Sequence, residues 1–358
     1  MINSSCGANH FIYFKFLSLI FVLLVHQESF CRSIHRPIDP LCSMITTRWA
    51  DDQTKTKYTL RDLYIQAPIF QTFDKKYFEN HMLPSGPIYY RNNRETSVTG
   101  NILGELANSL VNEIKANKKK FSDFVVLKQR DYSSRDQSGL LIFKYKNYPF
   151  VLKLFIETPQ GFIRPYAKGF EPTCFFIMGG SMRHLTGFTR VKNLELIDSK
   201  LKSDPFWNYR VDLPRKWFWQ PNNNRWLEVK TTNVGQTIEQ STQFPAVYGV
   251  ICDLIEVGKN FSLCNKNHRK FCMDLMQFLD FSTDPHLKNF IIEKGIGKVV
   301  IIDTEFFPLL VGLKKKIKTK SYSSWYLKLA GKFFTNRLML NKKERKLRQL
   351  STTSEYRF

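Results

Sequence analysis

Two short apolar runs joined across Gly295 to Gly297 constrain this chain more than any other stretch. From Asn289 the sequence reads Phe-Ile-Ile-Glu-Lys-Gly-Ile-Gly-Lys-Val-Val-Ile-Ile and ends at Asp303. β-Branched residues on both sides of a glycine turn predict a hairpin. A hairpin brings its open ends together, so Asn289 and Asp303 are expected side by side. Just upstream, Asp284 opens the run Asp284-Pro-His-Leu-Lys-Asn289, and Glu305 follows Asp303 two residues on. Phosphoryl transfer at magnesium needs an acid to orient the attacking hydroxyl. It also needs oxygen ligands for a hard cation, which an amide and a second acid supply. The plainer alternatives are a turn started by Asp-Pro and an Asp that simply ends a strand.

The spacing of Asp284, Asn289 and Asp303 resembles the catalytic core of the protein-kinase-like fold. The Asp-Pro-His-x-x-Asn wording is most similar to atypical kinases such as the ubiquinone-associated family. The resemblance is close over about twenty residues and looser from about 122 to 310. It implies an α+β, two-lobed fold with a small C-lobe and an N-terminal extension, binding ATP and magnesium. By the same resemblance Asp284 is the base, and Asn289 and Asp303 are the metal ligands. Thr304-Glu305 stand where Phe-Gly is usual, and Ser282-Thr283 where His-Arg is common. Those departures leave open a catalytically dead pseudokinase of the same fold.

Upstream, Gly139 to Tyr145 and Tyr148 to Ile156 read as a β-hairpin with Lys153 in its second strand. Val151-Leu152-Lys153 is similar to the Val-Ala-Ile-Lys element of kinases, whose lysine reaches the nucleotide phosphates. Strand side chains alternate, so Lys153 is expected to point away from the face of Leu152 and Leu154. A solvated lysine on a half-exposed strand is the bland alternative. The polar loop from Arg130 to Gly139 is expected to bring Ser133, Ser134 and backbone N–H groups to phosphate. The helix partner of Lys153 is read as Glu195, in a segment with apolar residues at 194, 197 and 201. Glu195 is equally readable as a solvent-facing helix residue. Near two adjacent glycines, Arg183, His184 and Arg190 are further phosphate candidates, or surface groups beside a tight turn. Phe244 to Glu256 reads as a buried strand entering an inter-lobe connection, and Phe271 to Asp280 as the helix supporting the acid loop.

The chain divides on this reading into 1–31, 32–120, 121–258 and 259–358. The first is a signal peptide or N-terminal anchor, the second an N-terminal extension, the third a kinase-like N-lobe and the last a short C-lobe with a basic tail. Phe16 to Val25 is an uninterrupted apolar run of ten residues, short for a membrane span and suited to a signal-peptide core. Secretion or a periplasmic location is therefore expected, with membrane anchoring as the alternative. Cys42, Cys174, Cys252, Cys264 and Cys272 would remain after cleavage, an odd and dispersed set that makes no disulfide framework. No Cys-x-x-Cys or His-x-x-His pairing suggests zinc.

At 43% hydrophobic and 15% aromatic residues, the chain is not generally disordered. Its net charge of +23 is concentrated in 314–348, where thirteen Lys/Arg face Glu344 alone. That tail is consistent with an anionic membrane surface, less so with nucleic acid, or with lysines snorkelling from a small C-lobe. The expected partners are thus a nucleotide and a protein or small-molecule acceptor of unknown identity. Two other classes compete. Val-Ile-Ile-Asp303-Thr-Glu305 resembles the first acidic motif of DnaQ-type exonucleases, where one strand presents two carboxylates to two metals. The chain would otherwise be a non-enzymatic basic protein binding lipid or nucleic acid.

Overall fold

Alternating strand patterns interrupted by amphipathic helices build this chain in layers. The computed structural model describes residues 44–51, 55–61, 73–167, 181–234, 237–306, 321–324, 327 and 350–354, all within the compact unit Leu41–Phe358. In chain order the strands begin with β1 (Met44–Trp49), β2 (Thr56–Arg61), β3 (Pro87–Tyr89) and β4 (Ser97–Thr99). Next come β5 (Phe124–Ser133), β6 (Ser138–Tyr145), β7 (Phe150–Ile156), β8 (Val211–Asp212) and β9 (Lys216–Trp219). The series continues with β10 (Trp226–Val234), β11 (Thr237–Pro245), β12 (Val247–Asp253) and β13 (Val257–Asn260). It ends with β14 (Phe290–Glu293), β15 (Val299–Ile301) and β16 (Leu350–Ser354). The helices are α1 (Lys75–Asn80), α2 (Gly100–Lys115), α3 (Pro159–Ala167), α4 (Ser181–Gly187), α5 (Thr189–Lys202), α6 (Pro205–Arg210) and α7 (Lys266–Phe278).

The class is α+β, with antiparallel pairing between the described strands except where β15 meets β8. The sheet that carries Lys153 has the order β5-β6-β7-β12-β9. Its register sets Lys153 opposite Ile142 and Val250, and Cys252 opposite Val151 and Lys216. Directly opposed residues share a face, so the sheet has two separate coats. Leu152, Leu154, Phe143, Ile251 and Trp219 pack under α2, on Leu103, Ala107 and Leu110. Phe155, Tyr248, Val250 and Phe218 face the other way, towards Leu185, Phe188, Ile197 and Leu201 of the α4–α5 region. The helix α2 starts where Thr99 accepts from Ile102 N–H, satisfying one of its free amides.

A second five-stranded sheet has the order β11-β10-β1-β2-β16. The stretch read as an N-terminal extension supplies β1 and β2 to it, while residues 350–354 supply its edge. The same stretch is tied to the acid-bearing hairpin by Arg91. Its guanidinium donates to Glu293 at 2.9–3.3 Å, to Asp212 at 2.7 Å and to the Leu213 carbonyl at 2.9 Å. The chain leaves the Lys153 sheet at Asp253, which Arg215 grips, and enters a four-stranded sheet of order β13-β14-β15-β8.

Among the described residues no helix is long and apolar enough to cross a membrane. The expected signal segment lies outside them, as does most of the basic tail. Cys252 and Cys272 are buried free thiols and Cys264 is an exposed one, while Cys42 and Cys174 lie outside the described residues.

Candidate active site

The hairpin forms where the glycines permit it. Phe290 pairs with Ile301, Ile291 with Val300 and Ile292 with Val299, and the turn uses positive φ at Gly295 (80°) and Gly297 (74°). One further bond, Ile302 N–H to the Asn289 carbonyl at 2.9 Å, carries the pairing outward. Asn289 and Asp303 therefore flank the open end of the ladder. The helix α7 delivers the chain to the acid loop through two left-handed residues, Asp280 (φ 54°) and Phe281 (φ 55°). A left-handed phenylalanine is uncommon and costs on the order of 1–3 kcal/mol. Beyond it, Thr283 Oγ1 donates to the Asp303 carbonyl at 3.0 Å, joining loop to hairpin. Tyr322 is buried behind the loop and donates to the Pro285 carbonyl at 2.8 Å.

Within the loop, Asp284 Oδ1 accepts from His286 N–H at 3.0 Å, and Asn289 Nδ2 lies 3.4 Å from the Asp284 carbonyl. Burial pushes the Asp284 carboxyl up to about 6, the nearby Asp303 carboxylate adds to this, and the His286 N–H works against it. A carboxyl poised there can accept a proton near neutrality. Asp303 is opposite in character. Burial disfavours its charge, but Arg190, Lys153 and Lys216 outweigh that and hold the carboxyl well below the ordinary range.

Lys153 points away from Leu152 and Leu154 and brings Nζ within 3.3 Å of Asp303 Oδ1. The same oxygen accepts from Arg190 Nε at 3.0 Å. Arg190 lies on α5 with its side chain 1% exposed, and its other arm reaches Glu305 Oε2 at 2.7 Å. Glu305 Oε1 accepts from Thr186 Oγ1. Thr304 Oγ1 donates to the Arg190 carbonyl at 2.6 Å and accepts from Lys216 Nζ at 2.7 Å. Asn193 Nδ2 spans the Ser282 carbonyl at 3.1 Å and the Thr304 carbonyl at 2.9 Å. Each residue of Asp303-Thr304-Glu305 is thus held by a buried polar bond from α5 or its approach. Thr304 and Glu305 serve as anchors for that helix.

Two expectations need correction. Glu195 is not the partner of Lys153. It accepts from Tyr77 Oη at 2.5 Å and meets His81 Nε2 at 2.9 Å, with its side chain 50% exposed. The reason is helical phase: Arg190 takes the inward position, and five residues further the side chain stands roughly 140° around the helix. Nor is Ser133 a free phosphate donor, because its hydroxyl donates to Asp136 Oδ2 at 3.0 Å inside the β5–β6 turn. Ser134 is exposed at that turn, and no bond ties either serine to Lys153 or Asp303 among the described residues. Arg130, before the same turn, lies near enough to the acid loop to lower the His286 pKa, behind burial and Lys288. His184 belongs to the core. It lies among Phe155, Phe188, Phe244 and Tyr248, with Nε2 2.9 Å from the Pro245 carbonyl.

The pattern missed Lys216, a lysine 5% exposed whose burial, with Lys153 nearby, lowers its pKa to about 7. It missed the ion-pairing role of Arg190 as well. Both carried a signal: Lys216 alternates with the buried Phe218, and Arg190 shares the helical stripe of Ile197 and Leu201.

For magnesium, the oxygen donors fit. Asp303 Oδ2 and Asn289 Oδ1 take part in no hydrogen bond among the described residues, while Oδ1 of Asp303 is occupied by cations. No group of three or more His, Cys, Asp or Glu side chains suited to a metal ion occurs among the described residues. Glu305 is turned into its bond with Arg190, so it does not stand beside Asp303 as a second metal carboxylate. Compared with protein-family models, curated proteins and solved structures, the chain has no significant match.

Proposed function

We propose that this chain is a kinase-like phosphotransferase of two-lobed architecture that binds ATP with magnesium. The observation that carries the reading is the meeting of Lys153, from the middle of one sheet, with Asp303 at 3.3 Å. Asp303 in turn adjoins the Asp284–Asn289 loop through Thr283 and Ile302. Lys153 would hold nucleotide phosphate, and Asp303 with Asn289 would hold magnesium through their remaining oxygens. Magnesium, when bound, would neutralise charge on the transferring phosphoryl group. Asp284 would orient the acceptor hydroxyl and take its proton, a role its raised pKa favours.

One observation favours a second reading, a pseudokinase that binds nucleotide without turnover. Asp303 Oδ1 is already engaged by both Lys153 and Arg190, so the pair must rearrange before the lysine can serve phosphate. The DnaQ-type alternative is disfavoured by the orientation of Glu305.

The test is thermal unfolding of the full chain with ATP or ADP and magnesium. Stabilisation that is lost in Asp303→Asn is expected. A well-folded protein whose melting is unmoved by either nucleotide would end the proposal. Transfer of radiolabelled phosphate that disappears in Asp284→Asn separates enzyme from pseudokinase.

A further inference from the structure

Lys216 is buried, and among the described residues Asp303 attracts its charge from beyond ion-pair distance. Its ammonium carries three donors. Among the described residues it has one hydrogen bond, to the neutral Thr304 hydroxyl at 2.7 Å, and no carboxylate within ion-pair distance. The Thr304 proton is itself spent on the Arg190 carbonyl. A charged group in the interior is costly unless paired, and such a group beside a cluster of acids is a candidate functional site.

Its position is specific. On one face of the sheet, Lys153 of β7 and Lys216 of β9 bracket β12, with Lys153 opposite Val250 and Lys216 opposite Cys252. Two strand spacings and two residues separate them, an offset of about 12 Å between their backbones. Their side chains nevertheless end on adjacent residues, Asp303 and Thr304. Arg190 adds a third cation at the same dipeptide, and among the described residues the ion pair of Glu305 is with Arg190. Two ammonium groups and a guanidinium thus converge on one small region beside Asp303, Glu305 and Asp284.

We infer that Lys216 is a second phosphate-binding cation, acting with Lys153 on a ligand that has linked phosphates. The ligand class is a polyphosphate, carried either by a nucleoside triphosphate or by an inorganic chain. A lysine suits this role as a point charge that needs no fixed fork geometry. The inference deepens the nucleotide reading and rests on it for the source of the phosphates.

The experiment titrates inorganic tripolyphosphate, ATP and adenosine into the full chain by calorimetry, for wild type, Lys216→Met and Lys216→Gln. Loss of one charge-assisted contact is expected to weaken tripolyphosphate and ATP by about ten- to hundredfold. Adenosine binding should not change. The ligand-free variants should still unfold cooperatively, which separates loss of a phosphate contact from loss of the fold. Unchanged ATP and tripolyphosphate affinity in both variants overturns the inference and leaves the nucleotide reading in place. Lys216-dependent binding of tripolyphosphate without binding of ATP does the reverse. A wild-type protein that binds neither refutes both.

Discussion

Arg190→Met is the most informative single change to the buried network. The Arg190 side chain is 1% exposed and its two arms hold Asp303 at 3.0 Å and Glu305 at 2.7 Å. Methionine keeps much of the volume and removes every donor. Glu305, with its side chain 5% exposed, would then keep only the Thr186 hydroxyl. Removing one partner of a buried ion pair costs about 3–5 kcal/mol, because the other charge stays buried. At about 2–4 °C per kcal/mol, the melting temperature should fall by roughly 6–20 °C. The companion variant Arg190→Met/Glu305→Met removes both charges and should recover much of that loss. Acid reduces the difference too. Asp303 has a depressed folded pKa, so its stabilising contribution is present above the unfolded value, near 3.8, and is lost as the pH falls through the folded one. The gap between wild type and Arg190→Met should therefore be widest near neutrality and narrow below about pH 4. Calorimetric unfolding of wild type, Arg190→Met, Glu305→Met and the double variant across pH is the assay. A single variant that loses less than about 1 kcal/mol, or losses that simply add in the double variant, would refute the description of Arg190 as the anchor of both acids.

Four further outcomes follow from the site and its surroundings. Asp284 acts deprotonated, so kcat/KM should fall about tenfold per unit below pH 6. The same raised pKa makes its charge a cost to folding above about pH 6 that is relieved as the pH falls towards the ordinary 3.8, and Asp284→Asn should lack that trend. Glu195→Gln should change stability by less than about 1 kcal/mol and leave nucleotide affinity alone, since its bonds are at the surface; a loss of affinity like that of a Lys153 variant would restore Glu195 to the site. Gly297→Ala should cost about 1–2 kcal/mol from backbone conformation alone, since φ is +74° and an added Cβ meets nothing within 4 Å; equal denaturation midpoints would contradict the hairpin turn.

Local patterns made part of this legible in the sequence. The Phe290–Ile301 hairpin needs only a glycine turn between β-branched runs, and alternation alone directs Lys153 away from Leu152 and Leu154. Helical phase was harder. In Thr189–Lys202 the buried stripe includes Arg190 and Asn193, so apolar spacing alone does not say which polar residue faces inward. Glu195 looked suitable by type, and the helix turns it to Tyr77 and His81. Lys216 was hard to read for a related reason, its one local signal being that it shares a strand face with Phe218. A lysine beside Trp217 reads as a solvated strand residue until the partner strands and Thr304 are known. The second sheet depends on pairing β1 and β2 with β10 and β16, contacts far apart in sequence that no local pattern encodes.

Calorimetric titration of magnesium-ATP into the full chain and into Lys153→Met bears most directly on the central claim. The Lys153–Asp303 meeting should give the wild type a saturable, one-to-one binding isotherm that the variant loses or shifts to at least tenfold weaker affinity. Equal binding by both proteins, or none by a folded wild type, would contradict it.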